Sequence, residues 1–250
     1  MSLRASLLLI VFATGCASNR WVELAVHDAR EVVTAPARAA PRTWKRAAVV
    51  TGAVLAATAV DEEVRDIARD NRTPRGDDIS EAVTPFGGRY SDRVLAGFLA
   101  AGLIGRNDRA KAVAFDAYVS SVVASKVVTP LLKQAFGRDR PNESEGAFEF
   151  EGGSAFPSNH ATQAFTVASV VAWHYDSPWV DGTAYGLATL VAAARIYDDV
   201  HWLSDVLAGA AIGTVTGRFI AGTNDRYRAR WMVMPVYDAQ RRGVVVVVRR

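Results

Sequence analysis

Cysteine is nearly missing from this chain: Cys16 is the only one in 250 residues. That excludes a disulfide within one molecule, even in an oxidising compartment. A dense basic stripe is also missing. The formal net charge is +3 and the cations are scattered, so nucleic-acid binding has no support. No uncharged apolar run reaches the roughly 18 residues of a membrane-spanning helix. The longest runs are 47–60, 94–105, 161–173, 182–194 and 206–217, and they are rich in Ala and Gly. Buried helices of a soluble bundle are therefore expected, in preference to a membrane-embedded body. Internal repeats and low-complexity tracts are absent too.

What is present begins with a targeting segment. Arg4 supplies a positive start, 7–12 an apolar core, and Ala13-Thr14-Gly15-Cys16 follows. This stretch resembles a bacterial lipoprotein signal, in which Cys16 is lipidated and becomes the mature N-terminus. Several acyl chains on one cysteine anchor firmly where one is marginal. Ala17, where an Asp would retain the protein at the inner membrane, favours outer-membrane sorting facing the periplasm. The expected organisation is a signal peptide over 1–15, a lipidated N-terminus and spacer over 16–43, a helical domain over 44–222 and a C-terminal β-hairpin over 223–250.

Three blocks carry chemistry. The first runs from Lys133 to Arg140-Pro141, two cations seven apart closing an apolar helical run at Gly137. The second is Pro157-Ser158-Asn159-His160, where Ser158 reads as an N-cap. The free N–H groups of the next helical turn form an anion site beside a histidine. The third is Arg195, His201 and Asp205. Arg195 offers a planar fork of donors for phosphate or carboxylate. Positions four apart share a helix face, so Asp205 is expected to orient His201. The set describes a phosphate cradle with a nucleophile and an acid.

In this order the blocks resemble the type 2 phosphatidic acid phosphatase and vanadium haloperoxidase superfamily: Lys-x6-Arg-Pro, Pro-Ser-Gly-His and Ser-Arg-x5-His-x3-Asp. Residues 142–156 separate the first two and 161–193 the last two; the likeness spans about 80–222. Two positions depart from the pattern, Asn159 for Gly and Ala194 for Ser. The resemblance implies an all-α bundle of that type, here carrying the short C-terminal hairpin. It also implies that Lys133, Arg140, Arg195, Ser158 and the Asn159 N–H bind phosphate. His201 attacks phosphorus, Asp205 orients it, and His160 protonates the leaving group. No metal or other cofactor is required; vanadate enters only in the haloperoxidase alternative.

The remaining groups have plainer readings. His27 and His174 are taken as packed or surface residues, Arg72, Arg75, Arg106 and Arg109 as solvated charges, and Asp198 and Asp199 as helix-start charges. Arg138 and Asp139 stay open between substrate contact and a loop ion pair. The loop 142–155 carries Phe148 and Phe150, expected to pin it to the core in preference to meeting substrate. Helices are expected near 21–33, 44–60 with an extension toward 70, 79–83, 92–103, 109–134, 159–175, 178–195 and 201–220, with loops at 35–42 and 71–78. The resulting expectation is a lipid-anchored envelope phosphatase acting on phosphomonoesters or diphosphates, with membrane lipids preferred. The alternatives are a soluble-ester acid phosphatase, a haloperoxidase or a non-catalytic scaffold.

Overall fold

A computed structural model describes residues 18–237 and 242–248, so the signal peptide and Cys16 lie outside the described residues. The chain forms two compact units. One comprises residues 39–219; the other holds the described residues before 39 and from 220 onward.

In the second unit, α1 (Ser18–Arg38) runs through Pro36. The expected spacer at 35–42 is thereby corrected: only residues 39 and 40 are non-helical before α2 (Pro41–Ala57). Pro41 lacks an N–H that the first helical position would leave unpaired anyway, and its fixed φ suits a helix start. Asn224 donates to Asp28 at 3.1 Å, and the His27 and Tyr227 rings lie 4.6 Å apart, tilted by 48°. Strands β1 (Trp231–Tyr237) and β2 (Arg242–Val248) pair antiparallel, with Trp231 opposite Val248.

The larger unit is built from helices. After a 3₁₀ turn at Thr58–Val60 come α3 (Asp61–Asp70) and α4 (Pro74–Val83). The loop expected at 71–78 is thus half helix. The Thr73 side chain accepts from the Gly76 N–H at 3.1 Å, and Pro74 follows as the first helical residue. Pro and Gly read as breakers in sequence, but Thr-Pro is a helix start. A second 3₁₀ turn, Thr84–Gly87, leads to α5 (Arg89–Ile104). Next come α6 (Asp108–Ser121), a π-helical stretch Val122–Val128 and α7 (Thr129–Phe136). Pro130, two residues past that stretch, cannot donate to the helical ladder. The unit is completed by α8 (Asn159–His174), α9 (Pro178–Tyr197) and the part of α10 (Leu203–Arg230) up to Phe219.

Small residues let three helices meet closely. Ala164 and Ala168 of α8 pack on Ala188 and Val191 of α9. On α10, Gly209, Gly213 and Gly217 fall four apart on the face toward α8. A Cβ on Gly209 would lie 2.5 Å from the Ser158 carbonyl oxygen, and the other two would meet the Thr162 carbonyl and Ser169 Oγ. This stripe fixes the start of α8 against the start of α10.

Among the described residues, two continuous helices, Asp108–Phe136 and Leu203–Arg228, are long and apolar enough to cross a membrane. The expectation that no segment has that length is corrected. Isolated charges such as Lys126 interrupt an apolar run without interrupting the helix. About 61% and 50% of their most apolar windows are buried within the protein. Apolar side chains are also bare elsewhere, among them Val49, Leu55, Ile104 and Trp179. Exposed apolar surface on this scale marks contact with a membrane or another apolar partner.

Candidate active site

The third block does not lie wholly on a helix. His201 sits in the turn before α10, and Asp205 is the third residue of that helix. One Asp205 oxygen, Oδ2, accepts from the Trp202 N–H at 2.9 Å, as the third helical residue does in a capping box. The same oxygen lies 3.5 Å from His201 Nδ1. The aspartate therefore faces the histidine through cap geometry, not through the shared helical face expected from spacing. Nδ1 is turned to the carboxylate, which leaves Nε2 on the opposite side of the ring for chemistry.

Around this pair the other blocks converge. The Ser158 N–H donates to the Asp205 carbonyl at 3.0 Å, joining the second block to the third. Ser158 is the N-cap of α8, but its side chain makes no capping bond. Its Oγ is buried without a partner. Lys133, in the last turn of α7, donates to the carbonyls of Ser154 and Ala155. Arg140 donates to Ser154 Oγ at 3.3 Å. Arg195, in the last turn of α9, is held by Thr84 Oγ1 and Asp198.

Four buried polar atoms here have no partner: Arg140 Nε, Ser158 Oγ, Asn159 Oδ1 and Arg195 Nε. Buried polar groups normally find partners, and one left orphaned costs about 1–3 kcal/mol. Two guanidinium donors, a hydroxyl and the free first turn of α8 form a cradle that suits a tetrahedral oxyanion. A cavity of about 680 Å³ opens onto His160 and Arg195, between Thr84, Gly88 and Arg89.

Electrostatics follow from that crowding of cations. Burial, then Arg195, His201, Arg140 and Lys133, push His160 down to about 4. Burial also lowers His201, against the raising effect of Asp205. Desolvation lowers Arg195, partly offset by Asp198. Both shifts favour the neutral imidazole. An anion held among these cations would offset their effect and favour a proton on His160.

Several readings of individual residues change. Asp198 is the C-cap of α9, not a helix-start charge, and it accepts from Ser80 Oγ at 2.6 Å as well as from Arg195. Asp199 adopts φ 60°, a left-handed conformation that Asp tolerates. Its carboxylate receives Arg69 at 2.6 Å and lies 3.6 Å from Arg65. Arg138 is no substrate contact; it is 3% exposed and bonded to Asp205. Phe148 and Phe150 are exposed, so they do not pin their loop to the core. Instead Glu62 accepts from the Ala147 N–H at 2.9 Å, and Arg65 donates to the carbonyls of Ser144 and Glu145. His174 is a satisfied core histidine, 2.8 Å from Asp116. Arg72 pairs with Asp77 and lines the cavity. Ala194 is buried, and its carbonyl accepts from the Asp198 N–H.

Sequence reasoning missed Asp61, Ser80, Thr84 and Ser154. Each lies outside the three blocks and carries no local pattern; only Asp61, in the acidic run 61–63, stands out in composition.

Residues 116–228 match the profile of the PAP2 superfamily, which supports the superfamily suggested by the motif blocks. Over 87 residues the chain is 36% identical to the lipid A 1-phosphatase of Porphyromonas gingivalis, covering 34% of this chain and 18% of that protein. Over 122 residues it is 25% identical to the lipid A 4'-phosphatase of the same organism, covering 46% of this chain and 52% of that protein. The matches thus span about half the length of one curated relative and under a fifth of the other. In fold it is similar to the first transmembrane PAP2 type phosphatidylglycerolphosphate phosphatase from Bacillus subtilis. The TM-score is 0.57 at 20% identity, over 82% of this chain and 96% of that one.

Proposed function

We propose that this chain is a PAP2-type phosphoric ester hydrolase acting on phosphorylated membrane lipids. The cluster of orphaned buried donors beside the His201–Asp205 pair carries the reading. The Nε2 lone pair of His201 attacks phosphorus and the P–O ester bond breaks. The departing oxygen takes a proton from His160. Water then gives a proton back to His160 and attacks the phosphohistidine, and the P–N bond electrons return to Nε2. Arg140, Arg195, Lys133, Ser158 and the Asn159 N–H stabilise charge on the transferring group. Those cations supply the charge compensation that a metal provides in other phosphatases, so the reaction proceeds in chelator.

A second cavity favours lipid over soluble ester. It holds about 430 Å³ between α5, α8 and α9, and apolar side chains dominate its lining. Ala164, Ala168 and Val171 carry it along α8 from one turn beyond His160. Ala184 and Ala188 carry it along α9, the helix that ends near Arg195. Phe86 and Ser91 border this groove, while Pro85 and Gly88 border the polar cavity. An acyl chain on a headgroup in the cradle would meet this apolar groove about one helical turn beyond His160. The named activities of the lipid A phosphatases agree with that chemistry.

The test is phosphate release in excess chelator from phosphatidate, a polyprenyl diphosphate, lipid A and p-nitrophenyl phosphate. Lipid substrates are expected to be preferred. An Ala184→Leu variant, which fills the groove, is expected to raise KM for long-chain phosphatidate about tenfold while leaving p-nitrophenyl phosphate unchanged. Equal effects on both substrates would reject the acyl channel, and loss of turnover in chelator would reject the metal-free mechanism.

The anchor at Cys16 and an outer-membrane address belong to the same proposal. Labelled fatty acid is expected in the wild-type protein and not in Cys16→Ser; label retained by the variant would end the lipoprotein reading.

A further inference from the structure

Behind the His201–Asp205 pair lies a second carboxylate that no motif block contains. Asp61, the first residue of α3, is fully buried, as is Asp205, and between them sits Arg138. One Arg138 nitrogen, Nη1, donates to Asp205 Oδ1 at 2.8 Å and to Ser204 Oγ at 2.6 Å. The other, Nη2, donates to Asp61 Oδ2 at 2.7 Å and to the Ala147 carbonyl at 2.7 Å. Arg138 Nε reaches the same carbonyl at 3.0 Å. Asp61 also accepts from the Ser204 N–H at 2.9 Å and from Ser204 Oγ at 2.5 Å. The guanidinium is further packed over the Trp202 ring, 5.3 Å from its centroid.

We infer that Asp61 and Arg138 are positioning residues for the nucleophile, forming a buried relay Asp61–Arg138–Asp205–His201. The relay rests on His201 being that nucleophile. Two features argue that it tunes the reaction as well as holding the fold. The first is geometric. Arg138 occupies Oδ1 of Asp205, and the Trp202 N–H fixes Oδ2, so only one carboxylate orientation presents Oδ2 to His201. The second is charge. Asp61, Arg138 and Asp205, all buried, sum to one net negative charge. A His201 ring that has given its Nε2 lone pair to phosphorus while keeping its Nδ1 proton is cationic, and that charge closes the set to neutrality. Without Asp61, the guanidinium charge would fall on Asp205 alone and weaken its hold on the cationic ring. Breaking such a set by removing one partner is costly because the remaining ion stays buried and uncompensated.

The groups facing His201 set the sign of the effect. Asp205 on α10 favours the protonated ring, while Lys133 on α7 and Arg140 in the following loop disfavour it. His160 on α8 also faces it. Removing the negative charge of Asp61 adds to the cationic side, so the acid limb of kcat/KM moves to lower pH.

The decisive comparison uses the full chain in lipid, with Asp61→Asn, Arg138→Gln and the double variant. Asp61→Asn is expected to lower kcat by about 10–100-fold, by analogy with residues that orient a metal-bound histidine, with KM within twofold. Its acid limb should shift down by about one pH unit, a tenfold change in the proton equilibrium. Arg138→Gln removes the cation beside Asp205 and should shift the limb upward. The double variant should return toward the wild-type limb while remaining slow. If Asp61→Asn does not fold, Asp61→Glu keeps the charge at altered reach, and its expected signature is lower kcat with the limb unmoved. Wild-type kcat and limb position in Asp61→Asn, with only a lower Tm, would overturn the relay and leave a structural ion pair. So would a wild-type kcat in Asp61→Glu. Turnover independent of His201 would instead sink the nucleophile assignment itself, which the His201→Ala control reads separately.

Discussion

His201→Ala is expected to reduce phosphate release by at least about 10³-fold, as removal of a nucleophile does when its partners act as one unit. KM should change little, because the cradle of Arg140, Arg195 and Ser158 is left intact. The same assignment fixes a pH dependence. Burial lowers the His201 imidazole below its ordinary value of 6.5. The nucleophile is active only when neutral, and kcat/KM reports groups of the free enzyme. Its acid limb should therefore lie below pH 6.5 once substrate ionisation, with a second phosphate pKa of about 6, is taken into account. Rapid quenching under acid-stable and acid-labile conditions gives a further reading. Label from ³²P-phosphatidate should appear on the wild-type protein in an acid-labile, alkali-stable form and be absent from His201→Ala. Turnover in the variant equal to wild type would remove His201 from the mechanism.

Gly209→Ala is the second large effect expected, and it originates at a backbone contact remote from any charge. The added Cβ would lie 2.5 Å from the Ser158 carbonyl oxygen and 3.1 Å from the Thr162 N–H nitrogen. Both are backbone atoms of the α8 start, so no side chain can swing aside. Overpacking of this kind costs about 1–3 kcal/mol, seen as a drop of several degrees in Tm for a domain of this size. Activity should fall further than stability predicts. Gly209 lies one turn beyond Asp205 on α10, while Ser158 and His160 ride on α8. Parting the two helices separates acid from nucleophile, and a misplacement near 1 Å can cost about 10²-fold. Gly186→Ala, where a Cβ meets nothing within 4 Å, is the matching control. Equal kcat in the two variants would show that the close approach does not set the site.

Much of the candidate site was legible because its residues come in fixed local patterns. Lys133 and Arg140-Pro141 flank a helix end, His160 follows an N-cap, and Arg195 precedes His201 and Asp205 at set spacing. The structure brings all of these together. What misled was local as well. Asp205 faces His201 through an N-terminal cap, because the helix begins only at Leu203. Asp198 and Asp199 read as a helix start, but they close α9 and the turn after it, where Arg195, Arg69 and Arg65 receive them. The apolar runs looked too short for a membrane because a single charge ends a run but not a helix.

Taken by itself, the sequence determined a helical body, three chemically specific blocks and their order, since periodicity and spacing are short-range properties written in neighbouring residues. Tertiary structure alone decided which groups support those blocks. Asp61 lies 77 residues before Arg138, and Arg138 lies 67 before Asp205, yet all three share one buried ion cluster. Thr84 reaches Arg195 across a separation of 111 residues. The glycine stripe of α10 likewise acquires meaning only against α8. No spacing rule joins such residues, because they are brought together by helix packing that buries apolar faces, and the polar groups trapped beneath those faces must then find one another.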